Sequence, residues 1–216
     1  MMYDFATTAP MDRYKLLSGC IVPRPIALVS TTDGKGRNNA APYSFFNVMS
    51  HEPPIIVLGI EQRRADTPKD TVGNIRITRD FVVNLVDMKI AEAMNVCAID
   101  FDAGIDEFEK AGLTPVASTK VKAPRIAEAP VAMECVLMDE LRYRQGRSIV
   151  VGEVVAFHVR DGIVDERFHV DTLALDLVGR LAGGGYCRLS DPFSIPRLSP
   201  ADWAEGRRAR ISPYRG

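Results

Sequence analysis

The sequence predicts a mainly β protein with helices, an antiparallel β-barrel, closed or half closed, under a few covering α-helices. Three observations predict it. An Asp33-Gly34-Lys35-Gly36 turn joins two extended stretches in RPIALVSTTDGKGRNNAAPYSF. PPIIVLGI and DFVVNLV are β-branched apolar runs too short to be core helices. VAMECVLMDELRYRQGRSIVVGEVVAFHV reads as two long strands around a Gln145-Gly146 turn, with Glu134 and Glu153 interrupting apolar runs.

The elements follow in chain order. A hairpin opens the chain, because Asp-Gly is a strong two-strand turn signal. A polar, aromatic-flanked loop over Tyr43 to Ser50 leads into the PPIIVLGI strand, whose prolines mark its start. TPKDTVGNIRITR is helical in pattern, Asp80 to Val86 is a buried strand, and MKIAEAMNVCAI from Met88 and GIDEFEKAG from Gly104 are two further helices. The long strand pair completes five or six strands. No repeat or low-complexity linker divides the chain, so residues 1–216 form one expected domain, with a core over about 17–196 and a tail over 197–216.

Composition removes several function classes. A hydrophobic content of 46 %, 25 % charged residues and a net charge of -1 give no electrostatic pull toward nucleic acid or a membrane surface. MMYDFATTAPMDRYK carries charge early and has no apolar signal core, and no segment reaches spanning length, so the expected compartment is the cytoplasm. Cys20, Cys97, Cys135 and Cys187 form no CxxC pair and read as free, mostly buried thiols. His51, His158 and His169 show no metal-ligand spacing, and His169 with Asp171 in HVD is read as neither a ligand pair nor a dyad. GKGR and the GGG of Gly183 to Gly185 are not the G-x-G-x-x-G of a dinucleotide fold.

The sharpest local signal is ADTPKDTVGN. Thr67 suits a helix N-cap, Pro68 the first helical position, and Asp70 the third position of a capping box. Lys69 and Thr71 lie in that first turn and Arg63 and Arg64 just before it, so free N–H groups, a hydroxyl and positive charge converge as a phosphate would require. The plainer reading, a capping Asp70 beside a solvated Lys69, stays open on the motif alone. A phosphate site close to Ser44, Asn47 and Ser50 fits flavin mononucleotide, whose ring needs an apolar wall and whose carbonyls and ribityl chain need polar partners.

PRPIALVST.DG, AAPYSFFNVMSHEPPIIVLGI, KDTVGNI..T.DFVVNLV and GRLAGGGYC, taken in this order over Leu17 to Pro196, resemble the flavin reductase-like proteins with the FMN-binding split-barrel fold. The resemblance implies FMN at a homodimer interface, with Tyr43 to Ser50 along the ring and ribityl chain and Lys69 to Thr71 at the phosphate. Ala182 departs from the glycine more often found there, and SPADWAEGRRARISPYRG matches no part of the pattern. The candidate cofactor-binding set is Tyr43, Ser44, Phe45, Phe46, Asn47, Ser50, Lys69, Asp70, Thr71, Asn74, Arg24, Arg63, Arg180 and Tyr186, with no metal ligand and no catalytic side chain. Phe45 and Phe46 point opposite ways in extended chain, so at most one lies near the ring. Arg24, held extended between prolines, reaches a phosphate, an acidic group of a second subunit, or solvent. His51 is a candidate donor to nicotinamide or flavin, and the triple glycine before Tyr186 is either a closing loop or a turn.

The function this implies is an NAD(P)H-dependent flavin reductase, with FMN, or FAD in its place, as the flavin and NAD(P)H as the reductant. Hydride passes from nicotinamide C4 to flavin N5 without a side-chain acid or base, and a monooxygenase or other acceptor takes the electrons. Two other classes compete: an FMN-holding electron carrier without nicotinamide turnover, and a non-catalytic barrel for another phosphorylated ligand such as pyridoxal phosphate.

Overall fold

The computed structural model describes residues 1–61, 69–102, 104–144 and 146–214. The elements are helix α1 (Pro10–Cys20), strands β1 (Arg24–Pro25), β2 (Ala27–Thr32), β3 (Asn38–Tyr43), β4 (Phe46–His51) and β5 (Pro54–Glu61), helix α2 (Asp70–Thr78) and strand β6 (Asp80–Leu85). Then come α3 (Ala91–Val96), α4 (Glu107–Ala111), the short β7 (Pro115–Val116) and β8 (Arg125–Ile126), and the long β9 (Val131–Tyr143) and β10 (Arg147–Val159). The chain ends with β11 (Val178–Arg180), β12 (Tyr186–Arg188), β13 (Phe193–Ser194), α5 (Pro200–Ala204) and β14 (Ser212–Pro213).

Among the described residues, seven strands form one sheet in the order β3-β2-β6-β9-β10-β5-β4, each neighbour antiparallel. Its two edge strands, β3 and β4, are joined in the chain by Ser44 and Phe45 alone. Two residues span less than about 10 Å, so the sheet curls until its edges stand side by side, yet no ladder joins them. The result is a barrel with one open seam, and Ser44 sits at that seam. A second, three-stranded sheet β1-β11-β12 lies beside it.

Burial explains why these residues make these strands. All six residues of β2 are buried, because it has a core on both faces. Ala27 and Val29 join Leu58, Phe81, Val83, Cys135 and Val150 inside the barrel, while Leu28 packs with Ile90, Met94, Phe108 and Val178 under α3 and α4. Full burial of a side chain such as Phe81 or Leu58 contributes about 1.5–3 kcal/mol. Gly152 admits the Phe81 ring, since a Cβ there would lie 2.5 Å from Cζ, and the β9–β10 register shifts at that point. The Asp33 carboxylate accepts from the N–H groups of Lys35 (2.7 Å) and Arg37 (3.1 Å), while Gly34 and Gly36 take positive φ, which closes the β2–β3 hairpin.

Several sequence expectations need correction. The main sheet has seven strands, and α1 precedes the hairpin. The expected loop over Tyr43 to Ser50 is mostly strand, because β4 pairs with β5 from Phe46↔Leu58 to His51↔Pro54. Helix α2 starts at Asp70 with Lys69 in the cap position and no cap bond from the Lys69 side chain; Thr67 and Pro68, on which the capping box was read, lie outside the described residues. Of the four cysteines, Cys97 and Cys135 are buried, Cys187 is half-buried and Cys20 is exposed. Gly183 to Gly185 form a turn from β11 to β12, with Leu181 N–H donating to the Gly185 carbonyl at 2.9 Å.

Candidate functional site

Helix α2 is pinned to the β2–β3 hairpin by a buried polar cluster. Thr71 Oγ1 accepts from Asn39 Nδ2 (3.1 Å) and from the Tyr43 hydroxyl (2.9 Å), and Thr31 Oγ1 accepts from Asn74 Nδ2 (3.0 Å) and Asn39 Nδ2 (3.3 Å). These bonds offset the cost of burying five polar side chains and set where the helix begins. The Lys69 carbonyl accepts from Gly73 N–H at 3.1 Å, so Asp70, Thr71 and Val72 carry the first N–H groups of the helix, those without an intrahelical acceptor. The Lys69 ammonium lies 5.8 Å from the Tyr43 ring centre. Positive backbone potential, one ammonium and one hydroxyl therefore meet at the start of α2.

A polar cavity of about 230 Å³ opens on this point, lined by Asn39, Pro42, Lys69, Asp70, Thr71, Ala98, Asp100 and Glu107 among others. A second cavity of about 220 Å³ shares Pro42 and Ala98 with it and is lined by Tyr14, Tyr43, Ser44, Asn95, Arg180 and Tyr186. The two adjoin along β3 and are taken together as a groove. Seven of the expected cofactor residues border it: Lys69, Asp70 and Thr71 at one end, Tyr43 and Ser44 midway, Arg180 and Tyr186 at the other. The Arg180 guanidinium lies 4.5 Å over the Tyr186 ring and donates to the Gly183 carbonyl, so the β11–β12 turn forms that end wall.

Arg24 sets Ser44. It is 6 % exposed, and its Nε donates to Ser44 Oγ (3.2 Å), Nη1 to the carbonyls of Ser18 and Ile21, and Nη2 to that of Leu181 (3.1 Å). One guanidinium thus ties α1, the β11–β12 turn and the seam together through hydroxyl and carbonyl oxygens. Phe46, Asn47, Ser50 and His51, together with Arg24, line a different cavity of about 610 Å³, otherwise apolar, between the main sheet and β1-β11-β12. Asn47 Oδ1 accepts from Val48 N–H and Ser50 Oγ from Glu52 N–H, as local turns do. Phe45 points elsewhere, toward Tyr14 at 6.4 Å between ring centres, and its carbonyl accepts from Gly59 N–H. Asn74 is buried in the cluster beneath α2, and Arg63 lies outside the described residues. The expected set thus divides between two faces of the β1 and β3 region.

Two groove residues, Asn39 and Glu107, and Thr31 in the cluster beneath them escaped the sequence reading. Asn39 and Thr31 are polar positions inside strands, and Glu107 belongs to a short helix. Glu107 is 5 % exposed and accepts from Ala40 N–H at 3.2 Å; burial, more than the charges of Asp70 and Asp106, holds its carboxyl above the usual range. Outside the groove, His158 contacts the fully buried Glu134 at 2.6 Å, and His169 lies 3.3 Å from exposed Asp165 while the Asp171 carboxylate accepts from Ala174 N–H. Among the described residues no three His, Cys, Asp or Glu side chains cluster as a metal site, and no helix is long and apolar enough to cross a membrane.

The flavin reductase like domain is matched over residues 18–180. The structure is similar to the 2-nitrobenzoate 2-nitroreductase of Pseudomonas fluorescens, with 39 % identity, 92 % of this chain and 95 % of that one covered, and a TM-score of 0.82. It is also similar to component B of the nitrilotriacetate monooxygenase of Bacillus cereus, with 33 % identity, coverage of 90 % and 98 %, and a TM-score of 0.85. A flavin reductase from Shewanella frigidimarina with a split barrel domain aligns over 92 % of this chain and all of its own length (100 %), with a TM-score of 0.80. At 23 % identity that likeness speaks for the fold, which is a split barrel.

Proposed function

This chain belongs to the flavin reductase like family, and from that premise we propose that it is an FMN-binding NAD(P)H:flavin oxidoreductase whose flavin lies in the groove along β3. One observation carries the reading: two cavities that adjoin at Pro42 and Ala98 border the α2 start on one side and the Tyr43-Ser44 seam and the Arg180-Tyr186 wall on the other. The donor set fits a phosphorylated flavin. Phosphate oxygens only accept at neutral pH, and the α2 start offers N–H groups, the Thr71 hydroxyl and Lys69. Ser44, already accepting from Arg24, has its hydroxyl proton to give, and the Tyr186 ring with Arg180 offers a flat cationic wall to a planar ring system.

Bound flavin would supply two-electron chemistry, accepting hydride from a nicotinamide and passing electrons on. The chain's own residues bind and orient: the β2–β3 hairpin and α2 hold one end, Arg24 holds the seam rigid, and no side chain is asked to exchange a proton with substrate. A relative that is component B of a monooxygenase supports a role in supplying reduced flavin to an oxygenase, and a relative that is a nitroreductase supports direct reduction of an organic acceptor.

A twofold homodimer completes the reading. Val48, Met138, Ile149, Val155 and Phe157, all on the β4, β5, β10, β9 side of the sheet, are each a third or more exposed, an apolar surface that a second copy would cover. The test is a visible spectrum. Purified or reconstituted protein should hold about one flavin per chain, and NADH or NADPH should bleach its absorption without oxygen. A protein that takes up no FMN at micromolar concentration overturns the proposal, and one that binds FMN but is never bleached is an electron carrier.

A further inference from the structure

We propose that residues 189–214 form an exchange arm, which lays its apolar side chains on the large apolar cavity of a second copy of this chain. The inference rests on the homodimer reading and adds to it the part of each copy that reaches across. Two features have no role in the flavin reading: the arm, and the cavity of about 610 Å³ between the main sheet and β1-β11-β12. They meet at Leu189, which lines the cavity where the arm begins. The family match ends at residue 180, so the arm lies beyond what defines the family.

The arm has form without a core. Strand β13 pairs with β14, Ser199 and Asp202 close a capping box on α5, Arg207 pairs with Asp202 and Glu205, and the Arg208 guanidinium lies 4.5 Å from the Trp203 ring centre. All these contacts are internal to the arm. None of residues 189–214 is buried, and Phe193, Ile195, Trp203 and Ile211 are each more than half exposed. Exposed ion pairs and hydrogen bonds return little against the entropy of ordering a segment. Its large apolar side chains therefore need a surface to cover them, and its own barrel is not that surface. Among the described residues, nothing of the arm beyond Leu189 lines the cavity of its own chain.

The cavity has the complementary need. Ile56, Leu85, Val86, Met133 and Leu177 line it, and its polar groups are engaged locally: Arg24 with Ser44 and three carbonyls, Asn47 Oδ1 with Val48 N–H, Ser50 Oγ with Glu52 N–H. Water finds few partners there, so apolar side chains enter at a gain. Val48 and Phe157 line the cavity and also belong to the exposed apolar side of the sheet that the proposed homodimer covers. The two surfaces are continuous, and a second copy seated on one brings its arm to the other. Each copy carries one arm and one cavity, so a single twofold rotation fills both.

Trp203 is the single tryptophan of the chain, so its emission reports the arm alone. The test is a dilution series of the full chain freed of flavin, with mass by light scattering and acrylamide quenching of Trp203 read on each sample. Trp203 should be shielded in the dimer. Over the concentrations at which the mass halves, its emission should move to longer wavelength and its shielding should be lost. A dimer whose Trp203 is as open to acrylamide as free tryptophan overturns the inference, leaves the homodimer standing and gives the cavity to another occupant, such as a small apolar molecule. Shielding that persists in the monomer puts the arm on its own barrel and overturns it too. A mass near 23.8 kDa at every concentration removes the homodimer reading, and this inference with it. For a dimer that does not dissociate, two full-length variants are co-expressed under different affinity tags and purified through both. Val48→Asp with Phe157→Asp has a spoiled cavity and a fluorescent arm; Trp203→Phe has an intact cavity and a dark arm. Trp203 should be open in the first variant alone and shielded in the mixed dimer, and the same quenching in both overturns the inference.

Discussion

Arg76 of α2 and Glu140 of β9 form a two-point ion pair, Nη2 to Oε1 at 2.6 Å and Nε to Oε2 at 3.0 Å, on the side of the helix away from the hairpin. Helix α2 is thus held from both flanks, by charge at β9 and by the Thr71 and Asn74 hydrogen bonds at the hairpin. The Arg76 guanidinium, and then Ser148, outweigh burial and hold the Glu140 carboxyl at about 2. Because that folded-state value is depressed, the stability it contributes is complete above the ordinary carboxylate range. It is lost as pH falls from there toward about 2. Arg76→Ala should cost about 1.5–3 kcal/mol at neutral pH and less in acid, measured by urea denaturation at a series of pH values. A cost that stayed constant into acid would show that the pair matters by packing and not by charge.

Lys69→Ala should weaken FMN by about 1–3 kcal/mol and riboflavin much less, because the ammonium lines the cavity at the start of α2. Thr71→Ala should weaken FMN by a similar amount and also lower Tm, since Asn39 and Tyr43 both donate to the hydroxyl it removes. Thr71→Ser, which keeps the oxygen, separates the two effects. Equal weakening of both ligands would make the α2 start an element of stability and not a phosphate site.

What was legible in the sequence was local. The β2–β3 hairpin follows from Asp33 and the two glycines that satisfy its turn, and β5, β6, β9 and β10 follow from β-branched runs. Strand β4 was not legible, because FNVMSH mixes polar and apolar residues at an edge and owes its form to pairing with β5. Helix α1 buries only Ser18 and so shows no apolar stripe. The start of α2 was legible from Asp70 onward, while the cap read at Thr67 lies outside the described residues. Glu107 and Asn39 could not be read as groove residues, since contacts across 67 and 32 positions join them to Ala40 and Thr71.

Arg24→Lys should destabilise the fold although it keeps the charge. A guanidinium reaches Ser44, Ser18, Ile21 and Leu181 at once, and an ammonium with three donors cannot repeat that fork. Leaving buried carbonyls unpaired costs about 1–3 kcal/mol each, so thermal unfolding should shift by several degrees. FMN affinity should drop with it, because the Ser44 hydroxyl and the β11–β12 turn lose their common anchor. An unchanged Tm would mean that water replaces the guanidinium at these oxygens without loss.

The dimer is tested at the sheet and at the groove wall separately. Met138→Asp with Val155→Asp places two charges on the exposed apolar side of β9 and β10, where neither residue contributes to the barrel core. Light scattering should then report a mass near 23.8 kDa in place of about twice that value. Flavin affinity decides what the dimer is for. Should the variant be monomeric and bind FMN as wild type does, the groove along β3 is complete within one chain. Should affinity fall with the dimer, a second copy closes the groove, and the Arg180-Tyr186 wall at its open end is where that copy would act. Arg180→Ala with Tyr186→Ala should then lower FMN affinity and leave the mass of the dimer unchanged. Loss of the dimer in that double variant would instead make the β11–β12 turn part of the interface.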